Sequence, residues 1–151
     1  MKNNFFFSDI EKKFITHLRV ARIASINLSD NFPHIVPICY VFYDGSFYTS
    51  LSKNSKRLKN LNEKSEVSIL FDEYKEKNGE WVILRGIFVK VDFEVLNYTE
   101  DSKIFMNGWT KLIEKYPQYK AWAHKDLTPT DPDLRRIMKM KPIEKVSWGF
   151  S

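Results

Sequence analysis

The residues best placed to do chemistry lie between Tyr48 and Lys64. Tyr48-Thr49-Ser50 ends a β-rich run, and Ser55-Lys56-Arg57 opens the segment that follows. Five hydroxyl side chains, two lysines and an arginine thus fall within ten residues, Tyr48 to Arg57. At a helix start, free N–H groups and the helix dipole favour an anion. An arginine fork matches phosphate oxygens in pairs. The pattern reads as an anion cradle, though a solvated basic helix face has the same composition. Residues 53–64 carry Lys53, Lys56, Arg57, Lys59 and Lys64 against Glu63 alone, so most of the formal net charge of +5 sits there. A local basic cluster of this kind points to an anionic partner.

Other catalytic sets have little support. The three histidines, His17, His34 and His124, show no metal-ligand spacing, and no metal site is expected. The single cysteine, Cys39, lies in the apolar run Ile38-Cys39-Tyr40 and reads as a packed thiol; it excludes an intrachain disulfide and fits a reducing cytosol. No nucleotide P-loop, dinucleotide fingerprint or hydrolase elbow is present. No apolar run has the length of a membrane span, and the first residues, MKNNFFFSDIEKKF, lack a signal-peptide core. A cytoplasmic protein with no membrane partner is expected.

The elements that must position the cradle follow from local pattern. The length of 151 residues suits one domain, spanning 1–151. Ser8-Asp9-Ile10-Glu11 is a capping box, and Ile10, Phe14, Leu18 and Ala21 follow at helical spacing. A strand is predicted from about Arg19. HIVPICYVFYDGSFYTSL is predicted as two strands around an Asp44-Gly45 hairpin turn. Pro37 interrupts the first of them, so that strand is an edge or is bulged. Residues 52–64 read as a short helix and EVSILFDEY as a strand. KEKNGE reads as a loop, and WVILRGIFVKVDFEVL as a long strand bent at Gly86. A second helix presents Ile104, Trp109, Leu112, Ile113 and Tyr116 to the core. LRRIMKMKPIEKVSWGF closes the chain as one or two strands broken near Pro142. Many antiparallel strands with few helices predict an α+β barrel.

In this order the segments resemble the pyridoxamine-phosphate-oxidase-like family. SKRLKNLNEKSEVSILF, preceded by FYTS, is similar to its phosphate-binding helix and following strand. HIVPICYVFYDG resembles the strand that runs along the flavin ring, WVILRG a later strand, and Pro142, Val146, Trp148 and Gly149 the closing strand. The resemblance covers roughly residues 14–90 and 137–149 and implies an antiparallel split β-barrel with peripheral helices. It also implies a bound FMN and a homodimer with the cofactor at the subunit interface. Carried over, Lys56 and Arg57 hold the phosphate with help from Ser55, Tyr48, Thr49 and Ser50. Val36, Pro37 and Ile38 present backbone to the ring, and Trp148 flanks it.

Two departures qualify the match. The sequence ends in GFS, without the arginine- and histidine-bearing segment that holds pyridoxal phosphate in the oxidases, so pyridoxamine phosphate is not the expected substrate. Trp81 stands where the oxidases carry a flavin-contacting glutamine. With the Lys115-Tyr116-Pro117-Gln118-Tyr119 run it resembles a branch taken to use the deazaflavin F420. The resemblance implies an oxidoreductase with FMN or F420, in which the ring supplies the hydride chemistry and no protein acid or base is obligatory. A carrier or sensor without turnover is the alternative. A nucleic-acid-binding barrel is disfavoured, because the basic residues occupy one short segment rather than a groove.

Overall fold

A computed structural model describes residues 6–62 and 65–151. Glu63 and Lys64 of the basic cluster, and residues 1–5, lie outside the described residues. The order is α1 (Asp9–His17), β1 (Ala21–Ile26), β2 (Pro33–Ile38), β3 (Val41–Tyr43), β4 (Ser46–Ser52), α2 (Lys56–Lys59), β5 (Val67–Lys77), β6 (Glu80–Asn97), α3 (Ser102–Lys115), a 3-10 turn (Pro117–Trp122) and β7 (Arg135–Trp148).

The seven strands form one antiparallel sheet in the order β2-β1-β5-β6-β7-β4-β3. The two edge strands, β2 and β3, are neighbours in the chain, separated only by Cys39 and Tyr40. Ile38 and Val41 therefore lie within about 11 Å of each other, three residue steps. A seven-stranded sheet whose opposite edges come so close must curl. It is an α+β split barrel, held together at this end by the chain itself, with no ladder between β2 and β3. The single run predicted from His34 to Tyr43 is in fact these two strands, which turn to opposite edges at Cys39-Tyr40. Pro37 lies on β2, which pairs only with β1 among the described strands, so the missing N–H donor is tolerated as expected.

The barrel interior is filled by Phe14, Ile23, Ile38, Phe47, Phe71, Ile87, Val89 and Met140 among others. Aromatic edges interlock there: Phe47 packs on Phe71 at 5.0 Å and Tyr40 on Phe71 at 5.1 Å between ring centres. A second cluster joins the outer side of β4 and β7 to α3 through Tyr48, Phe105, Trp109, Leu112, Ile113 and Ile137.

Several local expectations change. The capping box forms, with Ser8 and Glu11 bonding each other's backbone N–H. Yet Ile10 is half exposed, and α1 buries Glu11, Phe14 and Ile15 instead. Glu11 can be buried because Lys145 pairs with it and the Ser8 N–H donates to it at 2.8 Å. In α3, Phe105 takes the buried place and Ile104 is partly exposed. KEKNGE is not a loop: β5 and β6 continue to a two-residue Asn78-Gly79 turn, both residues at positive φ. Its charges are accommodated because this ribbon projects past β1 and β7 and is wetted on both faces. The register of β6 against β7 shifts between Lys90 and Val91, where the extra residue is Ile143 of β7, next to Pro142, and β7 runs on unbroken past the proline. Gly86 serves a different purpose: a Cβ there would lie 2.4 Å from Trp148 Cζ2 and 2.9 Å from the Phe71 carbonyl oxygen. The basic helix shrinks to the single turn of α2.

Candidate functional site

β4 delivers the cradle residues to two different faces. Tyr48 and Ser50 point outward toward α3, while Phe47, Thr49 and Leu51 point into the barrel. Thr49 is buried, and its hydroxyl donates to the Cys39 carbonyl at 2.7 Å. That bond ties the β2–β3 crossover to β4, so the Thr49 hydroxyl is engaged in structure. Tyr48 is buried against α3, and burial followed by the nearby Asp44 carboxylate pushes its phenol up to about 12.

Ser55 caps α2, its hydroxyl accepting from Leu58 N–H at 3.2 Å. Leu58 and Leu61 anchor the turn on the barrel core. The turn separates the two cations: Lys56 points to solvent, whereas Arg57 is half-buried. Burial lowers the guanidinium below its ordinary value, partly offset by the Tyr119 phenol. Arg57 Nε and Ser50 Oγ are both buried without a hydrogen-bond partner among the described residues. Two unsatisfied polar groups in one strand–turn–helix segment cost free energy, about 1–3 kcal/mol each, unless something outside the described protein atoms satisfies them. A phosphate oxygen is a suitable partner for both, so the donor set fits a cofactor phosphate.

Residues outside the expected cradle complete its wall. The 3-10 turn and its cap Tyr116 bring three rings together, with Tyr119 centred 5.5 Å from Trp122, tilted, and 6.0 Å from Tyr116, edge-on. Arg135 sits 4.7 Å above the Trp122 ring. Burial and the adjacent Cys39 thiol push the Tyr119 phenol up to about 12. Tyr119 therefore links Arg57 on one side to Cys39, the residue after β2, on the other. The sequence signal for this wall is the three-residue aromatic spacing 116, 119, 122, the period of a 3-10 turn.

Val36 and Ile38 turn into the barrel, and Pro37 is exposed on the outer face at the sheet edge. Their backbone leads to Cys39, so the expected ring strand and Arg57 converge. Trp81 and Trp148 do not join them along the strands of one chain. Trp81 is 66% exposed near the tip of the β5–β6 ribbon, and Trp148 ends β7 against Gly86. The cradle end of β7 is Arg135, paired with Ser52. Thirteen residues of extended strand, roughly 43 Å along the chain, separate Arg135 from Trp148. No group of His, Cys, Asp and Glu side chains able to hold a metal ion occurs among the described residues. No helix there is long and apolar enough to cross a membrane.

Comparison with known proteins agrees with this architecture. Solved structures with the same fold include a conserved hypothetical protein from Mycobacterium tuberculosis (TM-score 0.72, 19% identity, 95% of this chain and 85% of that one). An FAD-binding protein from Mesorhizobium loti matches with TM-score 0.66 and 20% identity over 93% of this chain and 94% of that one. A heme storage protein from Vibrio cholerae matches with TM-score 0.68 and 12% identity over 90% and 80%. No curated protein matches the chain by sequence. The family model described as pyridoxamine 5'-phosphate oxidase matches residues 8–148, nearly the whole chain, and the chain belongs to that family.

Proposed function

We propose that the protein binds a flavin, FMN or the deazaflavin F420, through its phosphate, and acts as an oxidoreductase on a small substrate. The observation that carries this reading is the pair of buried, unpartnered polar atoms, Arg57 Nε and Ser50 Oγ, in the segment that resembles the family's phosphate helix. Arg57 is the principal phosphate ligand and Lys56 an outer, solvent-facing cation. Ser50 contributes its hydroxyl, while Ser55 acts through the cap that sets the α2 turn. The exposed edge of β2 at Val36-Pro37-Ile38 offers backbone groups to the ring. When bound, the ring supplies hydride transfer, and the chain supplies orientation and an aromatic wall built from Tyr119 and Trp122.

The reading includes a homodimer. Trp81 and Trp148 lie away from the cradle along β6 and β7, so a two-fold partner is the means by which they would flank a ring bound at Pro37. Exposed apolar side chains on the outer sheet face support a covering copy: Ile35 at 64%, Val146 at 58% and Ile143 at 52% exposure. Ile35 and Ile143 border a depression of about 500 Å³ with Ile26 and Phe88.

Titration of the protein with FMN and with F420, followed by fluorescence, tests the proposal. One of the two binds at submicromolar concentration. Removing both Lys56 and Arg57 weakens that binding by about 2–5 kcal/mol, with Arg57 accounting for most of the loss. Unchanged affinity in the Lys56→Ala, Arg57→Ala variant would place the phosphate elsewhere.

A further inference from the structure

On another face, the C-terminal ends of α1 and α3 border a depression of about 440 Å³. It is lined by Thr16, His17, Arg19, Val41, Phe42, Lys111, Glu114 and Lys115. Its charges are unbalanced. The one acid, Glu114, is engaged with Lys111 at 3.4 Å. Arg19 and Lys115 have no carboxylate within ion-pair distance among the described residues.

Both cations stand on the same aromatic platform. The Lys115 ammonium lies 4.0 Å from the Tyr40 ring centre and 5.4 Å from that of Tyr116. The Arg19 guanidinium lies 4.5 Å from the Tyr116 centre. Cations near helix C-termini complement the dipole, and Arg19 does so by donating to the Lys115 carbonyl at 2.8 Å. That accounts for Arg19's position and leaves the Lys115 ammonium with ring faces alone. Two like charges on one ring, one of them half-buried, repel unless an anion comes between them. Consistent with this, burial and then Arg19 push the Lys115 amine down to about 8. Val41 and Phe42 give the depression an apolar wall, and Thr16 adds a hydroxyl at its rim.

We propose that this depression is a second binding site, which takes a small organic anion with its carboxylate or phosphate head between Arg19 and Lys115 and its apolar body against Val41 and Phe42. The site meets the cradle wall at Tyr116 but does not include Arg57, and it does not depend on the flavin reading.

Benzoate and phenyl phosphate are the probes, with benzyl alcohol as the neutral control, titrated in low-salt buffer. Binding is followed by NMR of the lysine side-chain signals in the wild type and of backbone amide signals in every variant. The expected result is saturable shifts at Lys115 with both anions and none with the alcohol. The Lys115 amine then titrates at higher pH when the anion is bound. Lys115→Gln weakens binding roughly tenfold or more, and Arg57→Ala leaves it unchanged. A dissociation constant above roughly 10 mM for both anions overturns the proposal. So does equal binding of the neutral alcohol, or loss of binding in Arg57→Ala with Lys115→Gln unaffected. The wild-type titration decides the matter even if Lys115→Gln does not fold.

Discussion

The Thr49 hydroxyl donates to the Cys39 carbonyl at 2.7 Å, joining β4 to the two-residue crossover that carries the chain from one edge of the sheet to the other. The expected phosphate ligand is thus the clasp of the barrel opening. Thr49→Val keeps the shape and removes this partner from the part-buried Cys39 carbonyl. It is expected to cost about 1–3 kcal/mol of stability by urea denaturation. A loss of flavin affinity without loss of stability would instead return Thr49 to the cradle.

Gly86→Ala forces a methyl group into the Trp148 ring, 2.4 Å from Cζ2, and toward the Phe71 carbonyl oxygen. A destabilisation of about 1–3 kcal/mol is expected, with a changed Trp148 fluorescence. Adding Trp148→Ala removes the nearer of the two clashes. In a double-mutant cycle it should therefore recover part of the loss beyond what the single variants sum to. Strict additivity would show that the Phe71 carbonyl is the sole obstacle.

Glu11 combines the α1 cap with the Lys145 ion pair at 4% exposure. Burial raises its carboxyl, but the hydrogen bonds from Lys145, Ser8 and Ser147 outweigh this and leave it below the ordinary value of 4.5. A depressed acid stabilises the fold above its unfolded value, and that contribution fades as pH falls through the folded value. The wild-type protein should therefore lose stability below about pH 4.5 more steeply than Glu11→Gln. Parallel acid-unfolding curves for the two would remove Glu11 from this role.

Lys115 works in the opposite part of the scale. Its amine falls from 10.5 to about 8 on folding, chiefly through burial. Between about pH 8 and 10.5 the unfolded chain holds a proton that the folded chain has shed, so this group makes stability rise with pH. Above about pH 10 the buried Tyr48 and Tyr119 phenols, both pushed up to about 12, oppose it, because they ionise first in the unfolded chain. Denaturation midpoints of wild type minus Lys115→Met, measured across pH 7–10, should isolate the rising component. A flat difference would mean that the amine is well solvated.

Periodicity and turn chemistry made much of the architecture legible. Ser8 to Glu11 specify a cap, and Asp44-Gly45 specifies a hairpin whose two residues take positive φ. Pro37 marks β2 as an edge because a missing N–H acts locally, whatever the rest of the chain does. The α2 cap was legible for the same reason: Ser55 capping Leu58 is an interaction over three residues.

Tertiary structure decided which side chains those elements put to use. Lys56 and Arg57 are adjacent cations in the sequence, and only the packing of Leu58 and Leu61 on the core makes one exposed and the other half-buried. The turn of β2 and β3 to opposite edges at Cys39-Tyr40, the closing of Tyr119 on Arg57 and the seating of Trp148 on Gly86 join residues far apart in sequence. Local propensity carries no signal for such pairs, because their free energy arises only when the curled sheet removes both partners from water together.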